Sequence, residues 1–250
     1  PLRKQADPAL PRYFLIPGTG GHLIPFRPLA RRLATRYGLA ILHPCLAGQG
    51  RPFDSVEQVA DSMLPALRRV ATSGPDRRPY LLVGYSFGGL PAFEVARRLY
   101  GEGEAAGAVL VDIDLTSTRQ RSLWRTARYL PLRAMRALSF RLGLRTTTNP
   151  FAQRASSGPA HRRYRPEPSR TPLVLIRAEI PSLRQRALVP EADYGWHHVG
   201  QVLAVLTTPG EHTALFRAEH ADALAARVEQ ALSLLETHLQ ARISAGDPAG

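Results

Sequence analysis

The sequence holds one cysteine, Cys45, among 250 residues. No internal disulfide framework is available, and that usage agrees with a reducing cytosol. Cys45 itself, in His43-Pro44-Cys45-Leu46, reads as a small packing residue. Lysine is almost missing too: Lys4 stands alone, and arginines supply the rest of 33 basic residues against 20 acidic ones, for a net charge of +13. A skew to arginine alone points to a GC-rich genome rather than to selection for polyanions. No basic stripe interleaved with aromatics marks a nucleic-acid module. A positive field would instead attract an acidic protein partner. No apolar run reaches about 18 residues, so no helix is expected to span a membrane. Residues 1–8 lack both an initiator methionine and the apolar stretch of a signal peptide. Residues 1–11 read as a polar linker, and the expectation is a domain cut from a longer cytoplasmic protein.

With 44% hydrophobic residues, the chain can bury one sizeable core. One domain is expected over 12–240, with 241–250 a flexible tail. Short, continuously apolar runs at 13–17, 39–43, 80–85, 107–112, 172–177 and 201–207 read as doubly buried strands. Between and after them, 26–37, 55–72, 90–100 and 218–239 have helical spacing. Strands alternating with helices predict an α/β fold with a mostly parallel central sheet covered on both faces. One stretch, about 115–170, is too long for a plain connection. Its first part is arginine-rich, with Leu123, Trp124, Ala127, Leu130, Met135 and Leu138 at amphipathic spacing. It predicts a helical insertion, positioned as a lid because it follows the strand next to the one described below.

Gly84-Tyr85-Ser86-Phe87-Gly88-Gly89 follows the apolar run Tyr80-Leu81-Leu82-Val83 and precedes a helical pattern. A strand that turns sharply into a helix can hold a serine in a strained conformation, with small residues two before and two after relieving the crowding. The helix then points its N–H groups and positive dipole end at that serine. This is the pattern of a nucleophile elbow, and Ser86 is the candidate nucleophile.

A serine hydroxyl needs a base. His212, in Pro209-Gly210-Glu211-His212, follows the last strand, where hydrolases with this elbow carry theirs. His22 and His43 precede the serine, His161 lies in the insertion, and His197 and His198 come before the last strand. The acid that orients the base belongs between the two. Asp112 and Asp114 end the strand after the elbow strand, and Glu179 follows the next one. Asp112 ends an unbroken apolar run and is preferred. An oxyanion hole takes two backbone donors: the N–H of Phe87, and one from the loop Pro17-Gly18-Thr19-Gly20-Gly21, where Thr19 is the candidate. That loop lacks the Lys-Ser/Thr of a phosphate loop.

Together these residues resemble the chain-releasing thioesterase domains that end non-ribosomal peptide synthetases and polyketide synthases. The resemblance runs from about Arg12 to Leu239. It is carried by Gly84-Tyr85-Ser86-Phe87-Gly88-Gly89 with Ala92-Phe93-Glu94-Val95-Ala96, by Tyr164-Arg165-Pro166 leading into Pro172-Leu173-Val174, by Gly195-Trp196 and by Pro209-Gly210-Glu211-His212. It implies an α/β-hydrolase fold with a helical lid, the acid at Asp112, and an oxyanion donor in the loop of Gly18-Thr19. The implied substrate is a peptide or polyketide chain on the 4'-phosphopantetheine of an upstream carrier protein. The domain itself would bind no cofactor or metal, and its product would leave by hydrolysis or macrocyclisation. Arg119, Arg121 and Arg125 in the lid are candidate carrier contacts. A free-standing editing thioesterase and a small-molecule esterase share the elbow and stay open as alternatives.

Overall fold

Tyr13, Phe14, Leu15 and Ile16 are consecutive and all buried, which requires cover on both faces of the strand that holds them. That strand is β1 (Arg12–Ile16). The computed structural model describes residues 10–18, 23–43, 53, 55–71, 78–115, 160–161, 163–182, 185 and 191–246. Among them follow α1 (Arg27–Leu33), β2 (Gly38–Ile41), α2 (Val56–Ala71), β3 (Tyr80–Tyr85), α3 (Gly89–Gly101), β4 (Ala106–Val111), β5 (Pro172–Ile180), β6 (Gln201–Glu211) and α4 (Ala218–Ala245). The strands form one six-stranded sheet in the order β2-β1-β3-β4-β5-β6, and every described pairing is parallel. None of the described helices is long and apolar enough to cross a membrane.

Side chains alternate across the sheet. Phe14, Ile16, Leu82, Ala108 and Leu110 join α2 and α3 in one apolar layer. Tyr13, Leu15, Leu81, Val83 and Val109 join α1 and α4 in the other. The strand order reverses between β1 and β3. The chain leaves β1 for α1 on one face and leaves β3 for α3 on the other. The two connections therefore part above the carboxyl ends of their strands, and the crevice between them is where open parallel sheets bind ligands.

Several boundaries differ from the sequence reading. β6 runs to Glu211 and pairs with β5 as far as Ile180↔Glu211, with a register shift between Ala178 and Ile180, so Pro209-Gly210-Glu211 completes the last strand rather than opening the loop after it. Pro209 falls where that register shifts, so the missing N–H lies at an interruption of the ladder. α4 continues to Ala245, and the N–H of Gly246, at φ 65°, caps the carbonyls of Arg242 and Ile243. The guanidinium of Arg242 lies 4.6 Å over the Tyr100 ring, which extends the packed part of that helix. Residues 241–245 are thus helix, not part of a flexible tail. Residues 1–9 of the expected linker, most of the expected insertion at about 115–170, and Cys45 lie outside the described residues.

Candidate active site

Ser86 has φ 51°, in the left-handed region that costs an ordinary residue about 1–2 kcal/mol. Its neighbours impose that conformation. β3 ends at Tyr85, a tight turn over Ser86–Gly88 starts at once, and α3 follows without a break. A Cβ on Gly84 would stand 2.5 Å from Gly89 Cα and 2.7 Å from Ala92 Cβ. One on Gly88 would meet the carbonyl oxygens of Ile16 and Pro17. The turn is tight because these two positions carry no side chain. Phe87 falls in the first turn of the helical run, where N–H groups have no partner within the helix and the dipole is positive.

β6 delivers the candidate base. His212 is the first residue after it, and its Nε2 lies 3.0 Å from Ser86 Oγ while its Nδ1 lies 2.7 Å from Asp112 Oδ2. With a carboxylate at Nδ1, that nitrogen is the donor, and Nε2 is left to accept from the serine hydroxyl. Asp112 is the residue after β4, with φ 49°, and its N–H still donates to Ile176 O at 2.7 Å. Its side chain is 0% exposed, whereas that of His212 is 30% exposed. Asp112 is enclosed and fixed, and His212 is partly open.

The second oxygen of Asp112 is also engaged. Oδ1 accepts from the Ala178 N–H at 3.1 Å and from Gln185 Nε2 at 3.4 Å. Gln185 is oriented by Ser182, whose N–H donates to Gln185 Oε1 at 2.7 Å and whose Oγ accepts from the Gln185 N–H at 3.2 Å. This reciprocal pair is a capping box. Gln185 is not among the residues expected from the sequence, although the Ser-x-x-Gln spacing is a signal for it. Tyr85, which lies against His212, carries no such signal.

Of the other acid candidates, Glu179 is exposed on β5, and Asp114 is buried two residues beyond Asp112. The Asp114 carbonyl lies 3.4 Å from His161 Nε2. Neither stands where Asp112 meets His212. The segment carrying these aspartates is clamped from the loop before β6: Trp196 Nε1–H donates to Ile113 O at 2.8 Å, and the Leu115 N–H donates to Tyr194 O at 3.1 Å. Trp196 in turn meets the edge of Phe93 on α3 at 5.0 Å. Tyr194 and Trp196, on either side of Gly195, therefore brace the segment that carries Asp112.

Thr19, Arg119, Arg121 and Arg125 lie outside the described residues. Gly18 is described, and a Cβ built there would sit 3.3 Å from Ser86 Cβ, so the chain leaving β1 passes directly against Ser86. Among the described residues no group of histidine, cysteine and carboxylate side chains could hold a metal ion.

The model of the thioesterase domain family matches residues 11–232. The nonribosomal peptide synthetase btyA of Aspergillus terreus is 35% identical over 103 residues, covering 41% of this chain and 11% of that protein. The vanchrobactin synthetase VabF of Vibrio anguillarum is 32% identical over 105 residues, covering 42% of this chain and 4% of that protein. The chain thus spans a small part of these relatives. The NocB thioesterase domain, solved as a covalent complex with a fluorophosphonate nocardicin G analogue, shares the fold with a TM-score of 0.65 at 23% identity, over 90% of this chain and 96% of that one.

Proposed function

The chain belongs to the thioesterase domain family, and on that premise we propose that it releases a peptide or polyketide chain from the phosphopantetheine thioester of an upstream carrier protein. The observation that carries this reading is the hydrogen-bonded run Ser86–His212–Asp112 at the carboxyl ends of the parallel strands. His212 Nε2 takes the Ser86 proton as Oγ attacks the thioester carbonyl carbon. The N–H of Phe87 and that of Thr19 hold the resulting oxyanion, each worth about 3–4 kcal/mol. Collapse breaks the C–S bond, the thiol leaves with the proton from His212, and an acyl ester remains on Ser86. Water, or a hydroxyl or amine of the chain itself, then gives its proton to His212 and attacks that ester. The proton returns to Ser86 Oγ, and a free acid or a macrocycle departs. Asp112 stays ionised and holds the tautomer throughout. Arg119, Arg121 and Arg125 contact the acidic carrier.

The test compares one acyl group presented on a carrier protein, as an N-acetylcysteamine thioester and as an oxygen ester. Release fastest from the carrier is expected. Faster turnover of the oxygen ester, with the carrier ignored, would replace the reading with a small-molecule esterase. Activity restricted to short acyl groups would replace it with an editing role. Changing Arg119, Arg121 and Arg125 to glutamine is expected to slow the carrier substrate more than the small thioester. Equal slowing would remove them from the docking surface.

A further inference from the structure

Asp112 fixes His212 at one ring nitrogen only, and His212 sits on a turn just beyond β6. The ring's other hydrogen bond is to the Ser86 hydroxyl, which is given up as the serine attacks, so Asp112 alone leaves the imidazole free to pivot about its contact. A pivot that swings Nε2 by 1 Å removes it from reach of the serine, and such displacements cost about 100-fold in rate. Tyr85 closes both freedoms. Its ring stacks on the imidazole with centroids 5.2 Å apart and planes 20° from parallel. Its hydroxyl donates to the His212 carbonyl at 2.7 Å. The tyrosine is itself held, edge against Phe216 at 4.7 Å and Phe26 at 6.1 Å, with those two rings in contact at 4.5 Å. Burial, with the Asp112 charge second, pushes its hydroxyl up to about 12, so it stays a donor at any working pH.

We propose that Tyr85 is the positioning residue for His212: its ring sets the plane of the imidazole, and its hydroxyl anchors the backbone that carries it. Tyr85 is joined by one peptide bond to Ser86, so a single strand end fixes both the nucleophile and the plane of its base. The proposal rests on the serine–histidine reading above.

The experiment measures labelling of the protein by an alkyl fluorophosphonate, in which Oγ bonds phosphorus, fluoride leaves, and the serine proton passes through His212. It resolves the maximal rate constant, the half-saturation concentration and the fraction of protein that reacts. Tyr85→Phe keeps the stacked ring and loses the O–H, and its maximal rate is expected to fall about 2–10-fold. Tyr85→Leu loses both, with an expected fall of about 100-fold. The half-saturation concentration and the reactive fraction stay at the wild-type values. A merely structural tyrosine would lower the reactive fraction and leave the rate per active molecule unchanged, which would overturn the proposal. So would a loss confined to half-saturation, or a Tyr85→Phe variant as slow as Tyr85→Leu. Wild-type protein that does not label at Ser86 would overturn the underlying reading instead, and this one with it.

Discussion

Asp112 holds His212 with one carboxylate oxygen and is itself held through the other. That division predicts the effect of Asp112→Asn. The amide oxygen must take the Oδ1 place to accept from the Ala178 N–H, which turns the NH₂ towards His212 Nδ1. The ring then carries its proton on Nε2, facing the serine, and cannot act as base. The acylation rate is expected to fall about 10⁴-fold with the fold intact, while Asp114→Asn and Glu179→Gln stay within a few-fold of wild type. A reversed order would move the acid. Gln185→Leu removes one donor from Asp112 and should cost about tenfold in kcat on a small thioester, the weight of one hydrogen bond to a charged group. Ser86 could be read from the sequence because its strand, its glycines and its helix are neighbours in the chain. The end of the apolar run favours Asp112 over Asp114, but spacing alone does not show which of the two meets His212. What distinguishes Asp112 is the turn at φ 49° and the approach of Ala178 from β5, sixty-six residues away. The capping box at Ser182 was visible, but its second face towards Asp112 is set by tertiary packing.

The strand–turn–helix unit of β3 and α3 depends on bare backbone. Gly84→Ala would drive a Cβ into Gly89 and Ala92, and equilibrium denaturation is expected to show a loss of about 1–3 kcal/mol, as overpacking a rigid site does. Nothing stands within 4 Å of a Cβ on Gly101, the last residue of the same helix. Gly101→Ala is therefore expected to be neutral or to stabilise by about 0.4–1 kcal/mol. Equal losses at both positions would mean that the close approach does not explain the glycine at 84. Elements of this kind were legible because doubly buried parallel strands read as continuous apolar runs. Their ends were less so. β6 is an edge strand, with exposed residues alternating along it, and Pro209-Gly210 reads locally as a loop. Its pairing with β5 overrides that local signal and sets where His212 emerges.

At the scale of the molecule, part of the basic excess is bound up in the fold. Glu94 is buried on α3 and accepts from Arg97 at 2.9 and 3.0 Å, from Arg98 at 2.8 Å and from the Tyr164 hydroxyl at 2.9 Å. Arg98 also pairs with Asp61 on α2. This cluster ties α2, α3 and the chain entering β5 together behind the elbow. Burial alone would raise the Glu94 carboxyl, but the hydrogen bonds from Arg97 and Arg98 outweigh it and hold the pKa below the ordinary value. Its folded value therefore lies under its unfolded one. The charge contributes fully above the unfolded value, and that contribution disappears as pH falls through the folded value. The stability gap between wild type and Glu94→Gln is expected to be widest near neutral pH and to close in acid; a gap independent of pH would make the cluster a matter of packing alone. The reversal of strand order between β1 and β3 brings the chain after β1 against Ser86. With His212 and Asp112 delivered by β6 and β4, one edge of the sheet gathers the residues proposed for acyl transfer. The most direct measurement is the intact mass of the protein after incubation with acyl-N-acetylcysteamine thioesters of several chain lengths, beside Ser86→Ala. A mass gain of one acyl group on wild type and none on the variant is predicted. The same gain on Ser86→Ala, or no gain and no thiol release from wild type at any chain length, would contradict an acyl-serine route.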